Sequence, residues 1–171
     1  MYGIGDYVVK ANTGICRIEE IARRCLTEEA GEKEYYCMVP EENQNARLFV
    51  PVDSETANLR RAMSEEEAWE LIYAIPGIPE KWIENDKSRE QEYKNAGRSN
   101  DPVALVSIIK NLYLRNQERE IQGKKVTAVD DRYFKMAENA LYSELAHALH
   151  REKESMRELI AETIEGRKQQ E

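Results

Sequence analysis

No stretch of this 171-residue sequence approaches the roughly 20 consecutive apolar residues that a membrane-spanning helix requires, which excludes an integral helical membrane protein. The opening Met1-Tyr2-Gly3-Ile4-Gly5-Asp6 has no basic start followed by an apolar stretch, so it does not read as a secretory signal, and the cytoplasm is the expected location. Cysteine is sparse. Cys16, Cys25 and Cys37 fit no CxxC metal or redox spacing and are expected to be small semi-buried residues in a reducing compartment. Basic charge is also short, with 25 Lys+Arg against 33 Asp+Glu and a formal net of -8. A protein that grips nucleic acid unaided is usually basic, so autonomous DNA binding is not expected. A DNA contact made while another molecule holds the protein in place is compatible with this balance. Aromatic content is 8% and mean hydropathy -0.75, yet the 41% hydrophobic share suffices for a folded chain of one or two small domains.

Enzyme signatures are missing too. Gly123-Lys124-Lys125 lacks the upstream glycine and the following Ser/Thr of a phosphate loop, and there is no GxGxxG after a strand and no GxSxG. The only histidines, His147 and His150, lie three apart on a helix without the HExxH glutamate. Glu144-x-x-His147 has the form of a carboxylate-bridged metal helix, but that site needs a second copy of the motif, and none exists. The two histidines are therefore expected at the solvated surface. No catalytic residue, metal or cofactor is expected.

What is present divides the chain in two. In residues 1–62 short runs rich in strand formers alternate with turns: Asp6 to Val9, Ile15 to Ile21, Glu34 to Pro40 and Arg47 to Pro51. That rhythm predicts a small antiparallel barrel or twisted sheet. From Ser64 the period becomes helical. Ser64-Glu65-Glu66-Glu67 is a capping box, and the helix it opens is stopped by Pro76-Gly77 after about Ile75. A second helix is expected from near Glu80 to about Asn95, with Gly97 to Asn100 as a turn. Asp101-Pro102 opens a third, whose face is Val103, Val106, Ile109 and Tyr113, flanked by Leu105, Ile108 and Leu112. Gly123 ends it, and Thr127 to Asp130 caps a fourth with the stripe Phe134, Ala137, Leu141, Leu145 and Ala148. The expected class is α+β: a β domain over residues 1–62, an all-α domain over 63–150, and a charged helical tail over 151–171 that frays from the last helix.

Two tryptophans stand out. Trp69, at helical spacing with Ile72 and Tyr73, reads as core. Trp82 follows the stiff Pro76 to Lys81 loop and precedes a densely charged helix, so its indole is either the cap of an interhelical core or a binding residue. On the residues alone the core reading takes precedence. Residues 85–132 carry a slight excess of basic groups, which matters only if those groups gather at one edge.

These residues, taken in order, resemble a family. Gly5-Asp6-Tyr7-Val8-Val9 with Gly14 and Ile18 is similar to the opening of CarD/CdnL-type bacterial transcription regulators. Tyr35-Tyr36, Val50-Pro51-Val52-Asp53 and Leu59-Arg60 continue the pattern. Trp82, Asp101-Pro102, Leu112 to Arg115, Gly123 to Lys125 and Ala137 to Leu141 with Glu144-Leu145 resemble its helical domain. The likeness spans residues 3–149. The opening motif alone is shared with the polymerase-interaction module of the transcription-repair coupling factor, but this chain has no helicase motif.

The resemblance implies a Tudor-like N-terminal domain that docks on the RNA polymerase β subunit through an exposed strand edge, with Arg24, Leu26 and Phe49 at the contact. It implies that Trp82 wedges into the minor groove of promoter DNA at the upstream edge of the bubble and stabilises the open complex. Lys87, Arg89, Lys124, Lys125 and Arg132 would contact phosphates without reading sequence. An acidic protein can do this because the polymerase tethers it beside the DNA. At the start of the last helix, where relatives carry basic residues, this chain has Asp130-Asp131 before Arg132. The alternative function is a protein–protein adaptor that binds RNA polymerase without productive DNA contact, which requires the basic residues to scatter over different faces.

Overall fold

The computed structural model describes every residue except Trp82, Glu84, Gln170 and Glu171, and the chain divides into two units, Met1–Ala62 and Met63–Glu171. In the first unit five strands form one antiparallel sheet: β1 (Tyr7–Lys10), β2 (Gly14–Arg24), β3 (Lys33–Pro40), β4 (Leu48–Pro51) and β5 (Leu59–Arg61). The order across the sheet is β4-β3-β2-β1-β5, so β4 and β5 are the edges. Asn12 and Gly14, with φ of 63° and 93°, supply the left-handed backbone that turns β1 into β2.

A bulge explains an irregular feature of β2. Ile18 pairs with Met38 and Glu20 with Cys37, so Glu19 is an extra residue in the strand. Cys16 and Ile18 therefore face one side at a spacing of two, and Ile21 joins them at a spacing of three. With Val8, Tyr36, Met38 and Val50 they form the core of this unit. β5, which carries Leu59-Arg60, is a strand that the turn-and-run rhythm did not reveal, because three residues are too few to show an alternation.

In the second unit α1 (Glu65–Ala74), α2 (Asp86–Ser99), α3 (Pro102–Ile121), α4 (Ala128–Leu149) and α5 (Met156–Lys168) follow in order. A sheet followed by helices is the α+β arrangement expected. The capping box of α1 is complete: Glu67 N–H donates to Ser64 Oγ at 3.2 Å, and Ser64 N–H donates to Glu67 Oε2 at 2.7 Å. α3 and α4 lie at the centre of two apolar clusters. One joins Ala68 and Ile72 of α1, Val106 of α3, Leu141 and Leu145 of α4 and Met156 of α5. The other joins Tyr93 and Ala96 of α2, Leu105, Ile108 and Leu112 of α3, and Tyr133 and Ala137 of α4.

Several boundaries and faces differ from expectation. α2 starts at Asp86, not near Glu80, because Asn85 Oδ1 accepts from Lys87 N–H at 2.9 Å and from Ser88 N–H at 3.4 Å. It then continues through Gly97, whose mid-helix cost of about 1 kcal/mol is borne by packing, and stops at Asn100 with φ 57°. On α3 the expected face holds at Val106, which is 2% exposed, and at Ile109, which packs on both clusters, but not at its two ends. Leu105, Ile108 and Leu112 are buried, whereas Val103 and Tyr113 are 47% and 53% exposed. Sandwiching α3 between two clusters turned its buried arc away from those two residues. On α4 the ring that is buried is Tyr133, with Phe134 only half-buried.

The expected frayed tail is instead a separate helix. His150, with φ 53°, ends α4, and α5 returns with Met156 fully buried and Leu159 and Ile160 packed on the first cluster. Arg157 donates to both carboxylate oxygens of Glu138 at 2.7 Å. Among the described residues no helix is long and apolar enough to cross a membrane.

The cysteines are not alike. Cys16 and Cys37 are buried and Cys25 is exposed, which corrects the uniform semi-buried expectation. Burial pushes the Cys16 thiol up to about 11, so it stays protonated at neutral pH. A maleimide added to the native protein therefore modifies Cys25 alone, and Cys16 and Cys37 react only after unfolding. Labelling of Cys16 in the folded protein, read by mass spectrometry, would contradict this burial.

Candidate interaction surfaces

The first surface lies on the face of the sheet opposite the core of the first unit. Glu20, Cys37 and Phe49 are successive partners across β2, β3 and β4. Arg24 ends β2, and its guanidinium carbon sits 5.1 Å from the centre of the Phe49 ring. Its Nη2 is 3.1 Å from Glu20 Oε2, and its Nε is enclosed with no acceptor among the described residues. Leu26 is exposed just past the strand and Phe49 is 38% exposed on the edge strand. The structure thus brings Arg24 and Phe49 into contact and leaves Leu26 in solvent nearby in the chain. β4 presents four residues of unpaired edge and ends at Pro51, which limits pairing to a short segment.

The second surface lies at one end of the second unit, and a buried carboxylate builds it. Asp130, in the first turn of α4, is 1% exposed. Its Oδ2 accepts from Arg115 Nε of α3 at 2.8 Å, and its Oδ1 lies 3.9 Å from Arg89 Nε of α2. Arg89 also meets Asp86 at 2.8 Å. The starts of α2 and α4 and the second half of α3 therefore converge on one anion. Around it Tyr133 donates to Glu90 at 3.2 Å, and Arg132 lies 3.5 Å from the same Glu90 oxygen and over the Tyr133 ring. Burial pushes the Tyr93 hydroxyl up to about 12, with the Asp130 charge adding to it, so Tyr93 stays a neutral donor.

This convergence sorts the expected DNA-contacting residues. Lys87 on α2, Arg132 on α4, and Lys124 and Lys125 in the connection from α3 to α4 are all exposed. Arg89 is buried, and its guanidinium is committed to Asp86 and Asp130, which takes it out of a phosphate-facing set. Asp130, which sequence places where a repelling surface charge would sit, is turned inward and compensated; Asp131 beside it pairs with Lys135 at 2.8 Å. Lys110 and Arg115 are likewise spent internally. With these taken inside, the remaining basic and acidic groups of residues 85–132 are equal in number. The assignment to Trp82 falls outside the described residues.

Sequence reasoning passed over Asn111 and weighed Glu144 only as a metal-helix carboxylate. Glu144, buried on α4, accepts from Met63 N–H at 3.1 Å, a backbone-anchoring role in place of a metal-ligand one. Among the described residues no cluster of His, Cys, Asp and Glu could hold a metal ion. His147 is half-buried, not fully solvated as expected, and His150 is exposed. The capping Thr127 three residues before Asp130 was the available signal for Asp130, but it points to the backbone N–H and says nothing of the carboxylate.

A small antiparallel sheet with a short edge strand is a geometry to which a protein partner can add a strand. Residues 2–63 match the CarD-like/TRCF RID domain, so the first unit belongs to the CarD-like RNA polymerase-interacting family, whose fold is Tudor-like. RNA polymerase is accordingly its partner and transcription the process it serves. No curated protein matches the chain.

Proposed function

We propose that the chain is a non-enzymatic transcription regulator that docks on the RNA polymerase β subunit and stabilises the promoter open complex. Docking would use the β4 edge, with Arg24, Leu26 and Phe49 as the contact. The observation that carries this part is the Arg24–Phe49 pair at the open edge of a sheet that matches an RNA polymerase-interacting domain. Trp82 would act as the minor-groove wedge, supported by phosphate contacts from Lys87, Lys124, Lys125 and Arg132. The convergence of the starts of α2 and α4, which bear Lys87 and Arg132, with Lys124 and Lys125 in the connection that leads into α4, supports a shared footprint. Polymerase tethering would offset the acidic net charge.

The test is the lifetime of the open complex on a competitor-challenged promoter. Trp82→Ala is expected to leave polymerase affinity unchanged and to shorten that lifetime, because the unstacked step loses its wedge. An unchanged lifetime on several promoters would favour the second reading, an adaptor that binds polymerase without productive DNA contact. One observation favours that second reading: the charge left at the surface of residues 85–132 is balanced and not basic.

A further inference from the structure

α5 lies beyond the residues whose motifs resemble the family, and with α1 it encloses a cavity that shares no residue with either surface above. The cavity holds about 220 Å3. Its apolar wall is Ile72, which is fully buried, with Pro76 just past α1 and Ile164 of α5. Thr163 also lines it, but its hydroxyl donates to Leu159 O one turn back at 2.7 Å, so it brings no free donor to the wall. The mouth has a different character. Arg167 and Lys168 line it at the end of α5, and both are exposed. The guanidinium carbon of Arg167 lies 4.2 Å from the centre of the Tyr73 ring. Tyr73 in turn stacks on Trp69, with centroids 6.0 Å and planes 26° apart, and Trp69 packs on the first apolar cluster. A stack of three planar groups therefore leads from the core of the unit to the rim of the cavity.

That stack holds a fork of N–H donors without consuming it. Among the described residues neither Arg167 nor Lys168 meets a carboxylate, in contrast to Arg157 on the same helix, which is bound to Glu138. A ring face attracts a guanidinium and leaves its N–H edge open to a planar anion, and an arginine so held loses little further freedom on binding. Among the described residues no acidic side chain lines the cavity, so its mouth is positive in a chain of net charge -8. Size narrows the occupant. Pockets that enclose a cofactor or a drug-sized molecule run from about 300 Å3 upwards, whereas this volume suits one aliphatic side chain. A phosphate backbone would use the two cations and leave the apolar wall uncovered. An aliphatic residue beside a carboxylate uses both, in the pattern of a protein interface with an apolar centre and a polar rim.

We propose that the groove between α1 and α5 docks an acidic segment of a protein partner, with one aliphatic side chain against Ile72 and Ile164 and a neighbouring carboxylate on Arg167 and Lys168. Tyr73 is the positioning residue for Arg167. This site is independent of the sheet edge and of Trp82: a chain that failed to bind polymerase would still bind the segment.

The probe is a fluorescein-labelled peptide with one leucine between pairs of aspartates, titrated against the full chain by anisotropy and located by backbone amide shifts. Saturable binding is expected, with shifts gathered on residues 72–76 and 163–168. Replacing the aspartates by asparagines, or the leucine by glycine, is expected to weaken it by about tenfold each. Arg167→Glu, at an exposed position that does not threaten the fold, is expected to weaken it by about tenfold or more at unchanged helical ellipticity. Tyr73→Leu removes the ring face and keeps an apolar contact, and is expected to weaken it by about twofold to fivefold. Arg167→Lys, which keeps the charge and loses the fork, is expected to lie between the native chain and Arg167→Glu. Equal binding of the asparagine peptide, or no effect of Arg167→Glu, would overturn the role of the cations. Equal binding of the glycine peptide would overturn the apolar anchor. No saturable binding at millimolar peptide would overturn the site as a whole. Self-association of the chain that Arg167→Glu abolishes would give the groove to a second copy, and displacement of the peptide by a short DNA duplex would give the cations to phosphate; either result would overturn the proposal.

Discussion

Asp130→Ala is expected to destabilise the helical unit by about 3–5 kcal/mol, the usual cost of removing one partner from a buried ion pair. The size follows from what is left behind. Arg115 loses a 2.8 Å partner, and Arg89 keeps only Asp86, whose side chain is 82% exposed and offers a screened attraction. One guanidinium then sits near the protein interior without an anion, and the other, in a buried residue, with only a screened one. The helix cap itself survives, because Thr127 Oγ1 accepts from the backbone N–H of residue 130 and not from its side chain. Urea unfolding followed by helical ellipticity measures the loss. Replacing Asp130, Arg89 and Arg115 together by apolar residues of similar volume is expected to recover most of it, since the desolvation of all three charges is then removed as well. A cost under about 1 kcal/mol for Asp130→Ala would mean that the arginines reach solvent and that the carboxylate does not bind the three helices together.

Arg24→Glu is expected to weaken binding to RNA polymerase by about tenfold to a hundredfold, which is about 1.4–2.7 kcal/mol. The substitution removes the cation above Phe49 of the edge strand and places a second carboxylate beside Glu20 on β2. The aromatic can be tested by itself. Phe49→Ala removes a partly exposed ring that is not a member of the core cluster of this unit, so unfolding should move little while polymerase affinity falls by a comparable factor. Leu26→Ala, beyond the end of β2, should act on affinity more weakly. Titration against core polymerase, with naked promoter DNA as the control ligand, reads all three. Unchanged affinity for both Arg24→Glu and Phe49→Ala would move the docking surface elsewhere on the first unit.

The parts of the fold that sequence made legible are those set by neighbours in the chain. The capping box at Ser64, the proline start of α3 at Pro102 and the Thr127 cap of α4 are each closed within a few residues, and each lies where the pattern put it. Four strands were likewise readable from their β-branched and aromatic runs. The misses share a cause. β5 exists because β1 offers it a partner, and Val103 and Tyr113 are exposed because α3 is shared by two clusters. α5 forms because Met156, Leu159 and Ile160 find the α1–α4 surface; by itself the segment is only a charged stretch with a thin apolar stripe.

Charge shows the same division. Composition established an acidic chain, and the ordered motifs of residues 3–63 identified a polymerase-interacting domain, because both are properties of the sequence as written. Which charges face water was a separate matter. Arg89, Lys110, Arg115, Asp130 and Glu144 are indistinguishable in a sequence from the solvated residues around them. They are turned inward because partners far along the chain, from α2 to α4 and from Ile75 to α3, satisfy them there. A local pattern can therefore determine where helices start, which runs become strands and what family a domain belongs to. Only the tertiary structure decides which ionic groups are structural, since burying a charge is tolerable solely where a distant partner meets it.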